Sequence, residues 1–324
     1  MGNSSDWLHC ALTKARLSAI DDIIKVNIYG HHNNFNEIVT HTFKMGGKKL
    51  RPSLYLLSLN TGEYYGKELL HPAAALELIH IASLYHDDVM DQAEVRRNSP
   101  SVNAQWGNVN ATYSGNFLFS KAISILSNYN ENVNSITCKY ISDLCLGQLK
   151  EAENAYNLKL TKEEHLDIIK KKTASLFVLP CQLGGILAEA DKNSIQALLT
   201  FSENIGIAFQ IIDDILDLKG NPAKTGKSVG TDLREGVYTY PTIHSLAVEN
   251  HSGQLSDLLM YENLEDAHIL KAIEIIKSRG GMEIAKKTAG EYVDKALESI
   301  SLLPKNATKE SFINLASFIV ERDN

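Results

Sequence analysis

Cysteine is scarce and scattered. Cys10, Cys138, Cys145 and Cys181 are the only four, and no two form a Cys-x-x-Cys pair. That argues against a disulfide framework and a thiolate zinc site, and leaves reduced thiols acting as small apolar residues in or near a core. Proline is rare as well, with 7 in 324 residues beside 20 glycines. Little therefore interrupts the stretches rich in Leu, Ile, Ala, Lys and Glu that recur at helical spacing, and an all-α fold is expected. An excess of positive charge is missing: 32 Lys and Arg face 39 Asp and Glu, for a formal net charge of −7. A nucleic-acid surface is not expected, and any anionic ligand must meet a local basic cluster.

Long uncharged apolar runs are lacking too. The run Thr173 to Ala188 is interrupted by Pro180, Gln182, Gly184 and Gly185 and is shorter than the roughly 20 residues of a membrane span. The run Asn98 to Ser120 is too rich in Asn and Ser. The first residues, Met-Gly-Asn-Ser-Ser-Asp, show no basic flank before an apolar stretch, and Asp6 stands where a myristoylation signal wants Ser or Thr. The expectation is a soluble, cytoplasmic protein.

With 44% hydrophobic residues the chain can bury a large core, and one domain over 1–324 is expected. Helical spacing predicts helices near 6–27, 35–46, 50–61, 68–91, 102–126, 131–154, 162–189, 193–219, 241–250 and 266–300. The segment from Leu69 to Asp91 is apolar on nearly every face and then ends in carboxylates, as a central helix would if it delivered acid to one end. Ser194 to Lys219 has the same design.

The first acidic end reads Asp87-Asp88-Val89-Met90-Asp91 and the second Asp213-Asp214-Ile215-Leu216-Asp217. The i, i+1, i+4 spacing puts each trio on one helical edge. One copy alone reads as a solvated helix end with dipole or salt-bridge duties. Six carboxylates at the ends of two apolar helices need cations, and magnesium, held by one or two carboxylates plus substrate phosphates, suits them. Gly46-Gly47-Lys48-Lys49-Leu50-Arg51-Pro52 sets Lys48 and Arg51 beside glycines that let a ligand approach backbone, although such a run can also be an ordinary basic loop. Arg96 and Arg97 follow the first acidic motif and also fit surface arginines balancing Asp91 and Glu94.

These segments, with Glu77-Leu78-Ile79-His80, Lys172-Thr173 and Phe209-Gln210-Ile211-Ile212 before the second motif, resemble the trans-polyprenyl diphosphate synthases of the isoprenyl diphosphate synthase family, most of all bacterial long-chain members. The resemblance runs from about residue 40 to 245 and implies a helical bundle around a central prenyl-chain cavity. It implies that Lys48, Arg51, His80 and Arg97 hold isopentenyl diphosphate. Arg96, Lys172, Thr173, Gln210 and Lys227 would hold the allylic diphosphate. Asp87, Asp91 and Asp213 would ligate magnesium, three ions with diphosphate bound, while Asp88, Asp214 and Asp217 ligate or support them. A homodimer, with membrane contact only for product release, is implied as well. Three positions depart from the family pattern: Asn98 stands where Gly usually follows the Arg pair, Asn116 replaces Asp, and Val237 occupies a place often filled by Lys.

Product length depends on what blocks the growing tail. One and two turns before Asp87 lie Ser83, Ala82 and then Ile79. Many short-chain members place an aromatic at the fourth or fifth residue before the motif, so small residues here imply a product of about C25 to C50, with Ile79 a possible lower wall. The alternatives are a farnesyl or geranylgeranyl diphosphate synthase floored from another helix near Tyr113 or Phe117, a class I terpene cyclase, and a non-catalytic partner subunit.

Overall fold

The apolar segment leading to the first acidic motif forms α4 (Leu70–Met90), with Asp91 as its C-cap. Pro72 falls in its first turn, where a missing N–H breaks no helical bond. Every residue from Pro72 to Ile79 is buried, as are Ile81, Ala82, Tyr85 and Asp88. In this computed structural model residues 14–30, 33–62, 69–220, 229–261 and 264–321 are described.

Before α4 come α1 (Lys14–Ile28), α2 (Asn33–Lys44) and α3 (Leu50–Leu59); after it come strands β1 (Val95–Arg96) and β2 (Ser99–Pro100), then α5 (Val102–Trp106) and α6 (Asn108–Leu126). Next are α7 (Glu131–Glu153), α8 (Lys162–Ile169), a π-turn (Lys170–Ala174), α9 (Ser175–Leu187) and α10 (Lys192–Lys219). The chain continues through α11 (Thr231–Arg234), α12 (Tyr240–Val248), α13 (Gln254–Leu259), α14 (Asp266–Ser278), α15 (Gly281–Ser299) and α16 (Ala307–Val320). The fold is all-α; β1 and β2 are the only strands among the described residues.

Contacts gather the chain into two compact units. The first comprises the residues up to Lys139, Leu176–Leu199 and Leu302–Asn314; the second comprises Tyr140–Ser175, Thr200–Ser301 and the residues from Leu315. The divisions at 139/140 and 199/200 fall inside helices, not in linkers.

In the first unit α4 packs against α1, α3, α5 and α6. Gly115 brings α6 close to it, since a Cβ there would lie 2.4 Å from His86 Nε2. The buried Tyr85 hydroxyl donates to Ile38 O of α2 at 2.7 Å, and burial pushes its pKa up to about 12. In the second unit α12 packs on α8, α13, α14 and α15. The missing side chain of Gly281 admits Pro241 O, which a Cβ would meet at 2.6 Å.

Several expectations need correction. The helix expected over 102–126 breaks at Gly107 (φ 84°), and that over 266–300 breaks at Arg279 and Gly280 (φ 73°), because both glycines take left-handed backbone. Helices α11, α13 and α16 were not anticipated, and the described part of the first helix begins at Lys14. Cys181 is buried, but Cys138 and Cys145 are exposed on α7, whose outer face also shows Leu146 and Leu149. Cys10 lies outside the described residues. Helix α10 is long and apolar enough to cross a membrane by length and composition. Its Leu198, Phe201, Ile205, Ala208 and Ile211 are buried in the protein, as in a core helix.

Candidate active site

The three aspartates at the end of α4 do not share one environment. Asp87 is half-buried and Asp91 exposed, while Asp88 is only 1% exposed and paired to Arg96. Arg96 Nε donates to Asp88 Oδ1 at 2.9 Å, and a second guanidinium N–H reaches the same oxygen. Burial works against the charge on Arg96, yet Asp88, with Asp87 and Asp91 behind it, holds its pKa above the ordinary value. Arg96 therefore braces the motif.

β1 and β2 pair antiparallel, with Arg96 opposite Ser99 and Val95 opposite Pro100. Only Arg97 and Asn98 lie between them, at φ 52° and 61°, the two-residue turn with both central residues left-handed that suits a hairpin's twist. The departure at Asn98 thereby acquires a cause. The position requires positive φ, which Gly adopts freely and Asn better than most other residues. The turn carries the Arg97 guanidinium onto bare backbone: a Cβ at Gly47 would sit 3.0, 3.1 and 3.3 Å from Arg97 Nη1, Nη2 and Cζ.

The basic loop divides its two lysines. Lys48 is exposed. Lys49, at φ 49°, reaches Asp21 at 3.0 Å and Glu77 at 3.6 Å. Arg51, in the first turn of α3, lies over the Phe177 ring, 5.8 Å from its centroid. Burial lowers its pKa to about 10, with Glu77 opposing and Arg97 adding to the fall. His80 falls well below the ordinary histidine value through burial and then through Arg51, Arg97, Arg96 and Lys49. Arg51 Nε and His80 Nδ1 are buried with no hydrogen-bond partner among the described residues. A buried N–H left unmet costs about 1–3 kcal/mol, so this cluster fits an anion. The structure thus brings Arg51, His80 and Arg97 together, with the buried Glu77 as their counter-charge.

The second motif, on α10, repeats the division. Asp214 is 1% exposed; Gln210 Nε2 donates to its Oδ1 at 3.0 Å and His165 Nε2 lies 3.2 Å from its Oδ2. Thr173 in turn donates to Gln210 Oε1 at 2.8 Å. Asp213 and Asp217 are half-buried. Asp217 Oδ1 and Oδ2 accept backbone N–H groups of Thr231 and Asp232 at 3.1 and 3.3 Å, which fixes the start of α11. Lys172 is ion-paired to Glu151 of α7. Asp232 is pushed well above the ordinary carboxylate range by burial, then by Asp217, Asp214, Glu151 and Glu235. Such crowding favours a cation nearby.

Among the described residues no three His, Cys, Asp or Glu side chains form a preformed metal cage. Magnesium does not require one, because it keeps waters and takes substrate phosphates beside one or two carboxylates. The less buried Asp87 and Asp91, and Asp213 and Asp217, fit that role. Lys227 lies outside the described residues. Sequence reasoning missed Glu151, His165 and Asp232, and gave Glu77 no role of its own. His165 is 49 positions from Asp214, and no local spacing links such residues.

The tail-path residues lie on α4: Ile79 and Ala82 are fully buried, and the Ser83 hydroxyl bonds back to His80 O at 2.8 Å. Tyr113, one alternative floor, is 68% exposed and turns outward. Phe117 packs edge-on against Phe35 of α2, at 5.0 Å.

Residues 32–276 match the polyprenyl synthetase family. The chain is 32% identical to heptaprenyl diphosphate synthase component 2 of Geobacillus stearothermophilus, covering 95% of this chain and 96% of that one. It is 35% identical to a short chain isoprenyl diphosphate synthase of Methanocaldococcus jannaschii, covering 94% of each. A polyprenyl synthase from Caulobacter crescentus, crystallised with calcium and isoprenyl diphosphate, superposes with a TM-score of 0.93 at 27% identity over 100% of this chain and 99% of its own. The chain belongs to the polyprenyl synthetase family. It is thus placed among prenyltransferases that lengthen isoprenyl chains.

Proposed function

We propose that this chain is a magnesium-dependent prenyltransferase that condenses isopentenyl diphosphate with an allylic diphosphate and lengthens it to a medium or long trans product, about C25 to C50. The observation that carries the reading is the division of labour within both acidic motifs. In each, the middle aspartate is buried and anchored by protein, while Asp87 with Asp91 and Asp213 with Asp217 are the less buried members that a metal can reach; Asp217 also accepts the backbone N–H groups of Thr231 and Asp232.

Magnesium supplies electrostatic stabilisation of the departing diphosphate. The chain's own residues do the rest. Arg51, His80 and Arg97, with the exposed Lys48, bind the diphosphate of isopentenyl diphosphate. His80 is kept neutral by burial and then by its cationic neighbours, so it can offer an N–H without adding charge. Lys172, Thr173 and Gln210, with Lys227, bind the allylic diphosphate, and Arg96 contributes by keeping Asp88 and its neighbours in place. Cleavage of the allylic C–O bond releases pyrophosphate, the isopentenyl double bond attacks the resulting cation, and a proton is lost to the pyrophosphate. No protein nucleophile takes part. The buried Ala82, one turn before the motif, supports passage of a long tail.

Incubating the purified chain with magnesium, labelled isopentenyl diphosphate and geranyl, farnesyl or geranylgeranyl diphosphate tests this. Diphosphates of at least five isoprene units are expected; hydrocarbon release, or products that stop at C15 or C20, would overturn the activity or the length respectively. A second reading has its own support, since the Geobacillus relative is named as a component. In that reading the chain works with a different subunit. A homodimer is favoured here, and Leu146 and Leu149 exposed on α7 offer apolar surface for one. A purified chain that is inert alone and active only with an added partner would favour the heteromer. A cytoplasmic location, with membrane contact for product release only, completes the proposal.

A further inference from the structure

Between α8 and α9 the helix does not run through: Lys170–Ala174 opens into a π-turn. Such a turn holds one residue more than the α-helix, bulges outward and gives up hydrogen-bond geometry, and it is found mostly where the bulge is used. Here it carries Lys172 and Thr173. Nothing in Lys-Lys-Lys-Thr-Ala itself demands the distortion, so its cause must be sought in what packs against it.

That neighbour is α7. Gly147 is buried, and a Cβ built on it would fall 2.4 Å from Lys172 N, 2.8 Å from Lys172 Cα and 2.9 Å from the Lys171 carbonyl carbon. All three are backbone atoms, which cannot rotate aside, so α7 and the π-turn meet main chain to main chain. Glu151, one helical turn beyond Gly147 on the same face, takes the Lys172 ammonium. Lys150 then bonds Asp167 at 2.6 Å, and Asp167 also accepts from Lys171 at 2.9 Å. From α10, Gln210 takes the Thr173 hydroxyl. The turn is thus held through its backbone, through Lys171, through Lys172 and through Thr173.

We infer that Gly147 and Glu151 are positioning residues for the allylic primer. By omitting a side chain, Gly147 lets the π-turn seat where Lys172 and Thr173 present together. Glu151 orients the Lys172 ammonium, whose three donors allow one bond to Glu151 while others meet phosphate oxygens. This inference rests on the reading that Lys172 and Thr173 hold the allylic diphosphate, and it adds that the grip on the primer is set from a helix that carries no acidic motif.

The test is steady-state kinetics with each substrate varied at saturating levels of the other. In Gly147→Ala the KM for the allylic primer should rise about tenfold, which is ~1.4 kcal/mol of lost binding, while the KM for isopentenyl diphosphate stays within about twofold. Glu151→Ala should raise the same KM about tenfold and Glu151→Gln less, because the amide keeps an acceptor for Lys172. Circular dichroism and Tm report whether each variant folds; should Gly147→Ala not fold, the two Glu151 variants decide. An unchanged allylic KM, or equal rises in both KM values, overturns the inference while wild-type turnover leaves the parent reading standing. A wild-type chain that binds neither diphosphate sinks both.

Discussion

Asn98 offers a measurement in which backbone conformation becomes substrate affinity. Its φ of 61° follows Arg97 at 52° in a hairpin whose strands are two residues each. So short a ladder can offset little strain. A β-branched residue forced into left-handed backbone costs about 1–2 kcal/mol more than Gly, and Asn lies between the two. Asn98→Val should therefore tilt the local equilibrium toward an open hairpin by about 1 kcal/mol, roughly a factor of five. The opening withdraws the Arg97 guanidinium from Gly47. The KM for isopentenyl diphosphate should rise several-fold, up to about fivefold, while Tm barely moves because the hairpin buries little surface. Asn98→Gly should match the wild type or bind slightly better, since Gly adopts the conformation without steric cost. An unchanged KM in Asn98→Val would refute the reasoning. So would a Gly variant as impaired as the Val variant, for then the Asn side chain itself, and not its φ, is what the site needs.

Other consequences can be measured directly. Asp87→Ala or Asp213→Ala should abolish turnover with the far-UV spectrum and Tm nearly unchanged, because both side chains are only half-buried; retained kcat in either would remove it from the metal site. Ala82→Phe should shorten the product by at least one isoprene unit in thin-layer chromatography, and an identical ladder would mean that the tail passes elsewhere. Glu249 gives a pH test of the fold. Burial raises its pKa, but Ser256 N and Oγ at 2.6 and 2.8 Å, Leu255 N and Arg279 outweigh that and leave it below the ordinary 4.5. A depressed carboxylate stabilises the fold above its unfolded pKa and loses that contribution as pH falls through the folded one. Glu249→Gln should accordingly lower the urea midpoint at pH 7 and converge with wild type below pH 4.5. A constant gap across that range would count against the assignment.

What the sequence makes legible follows from periodicity. α4 and α10 could be read in advance because apolar residues on every face end in carboxylates, and both features are local. The break at Gly280 could not, since an isolated glycine within a helical pattern is compatible with continuing the helix, and only the left-handed φ distinguishes the two outcomes. The same limit hides Asn98: its identity is plain in the chain, but the demand it meets comes from the pairing of β1 with β2. The partners of the middle aspartates show the other kind of limit. Arg96 is eight residues from Asp88 and can be guessed. His165 reaches Asp214 from another helix, and Glu151 reaches Lys172 from yet another, so packing and not spacing brings them together.

The buried Asp88 and Asp214 suggest how such an enzyme could be altered without being broken. Their carboxylates are committed to Arg96 and to Gln210 with His165, so these positions act as fixed pins, and the outer aspartates are the less buried members of each trio. On the function proposed above, exchanging Asp87 or Asp213 for glutamate should retune which ion is accepted on an otherwise intact frame. Exchanging a middle one loosens the frame on which every ion depends, and its damage should persist whichever divalent metal is supplied.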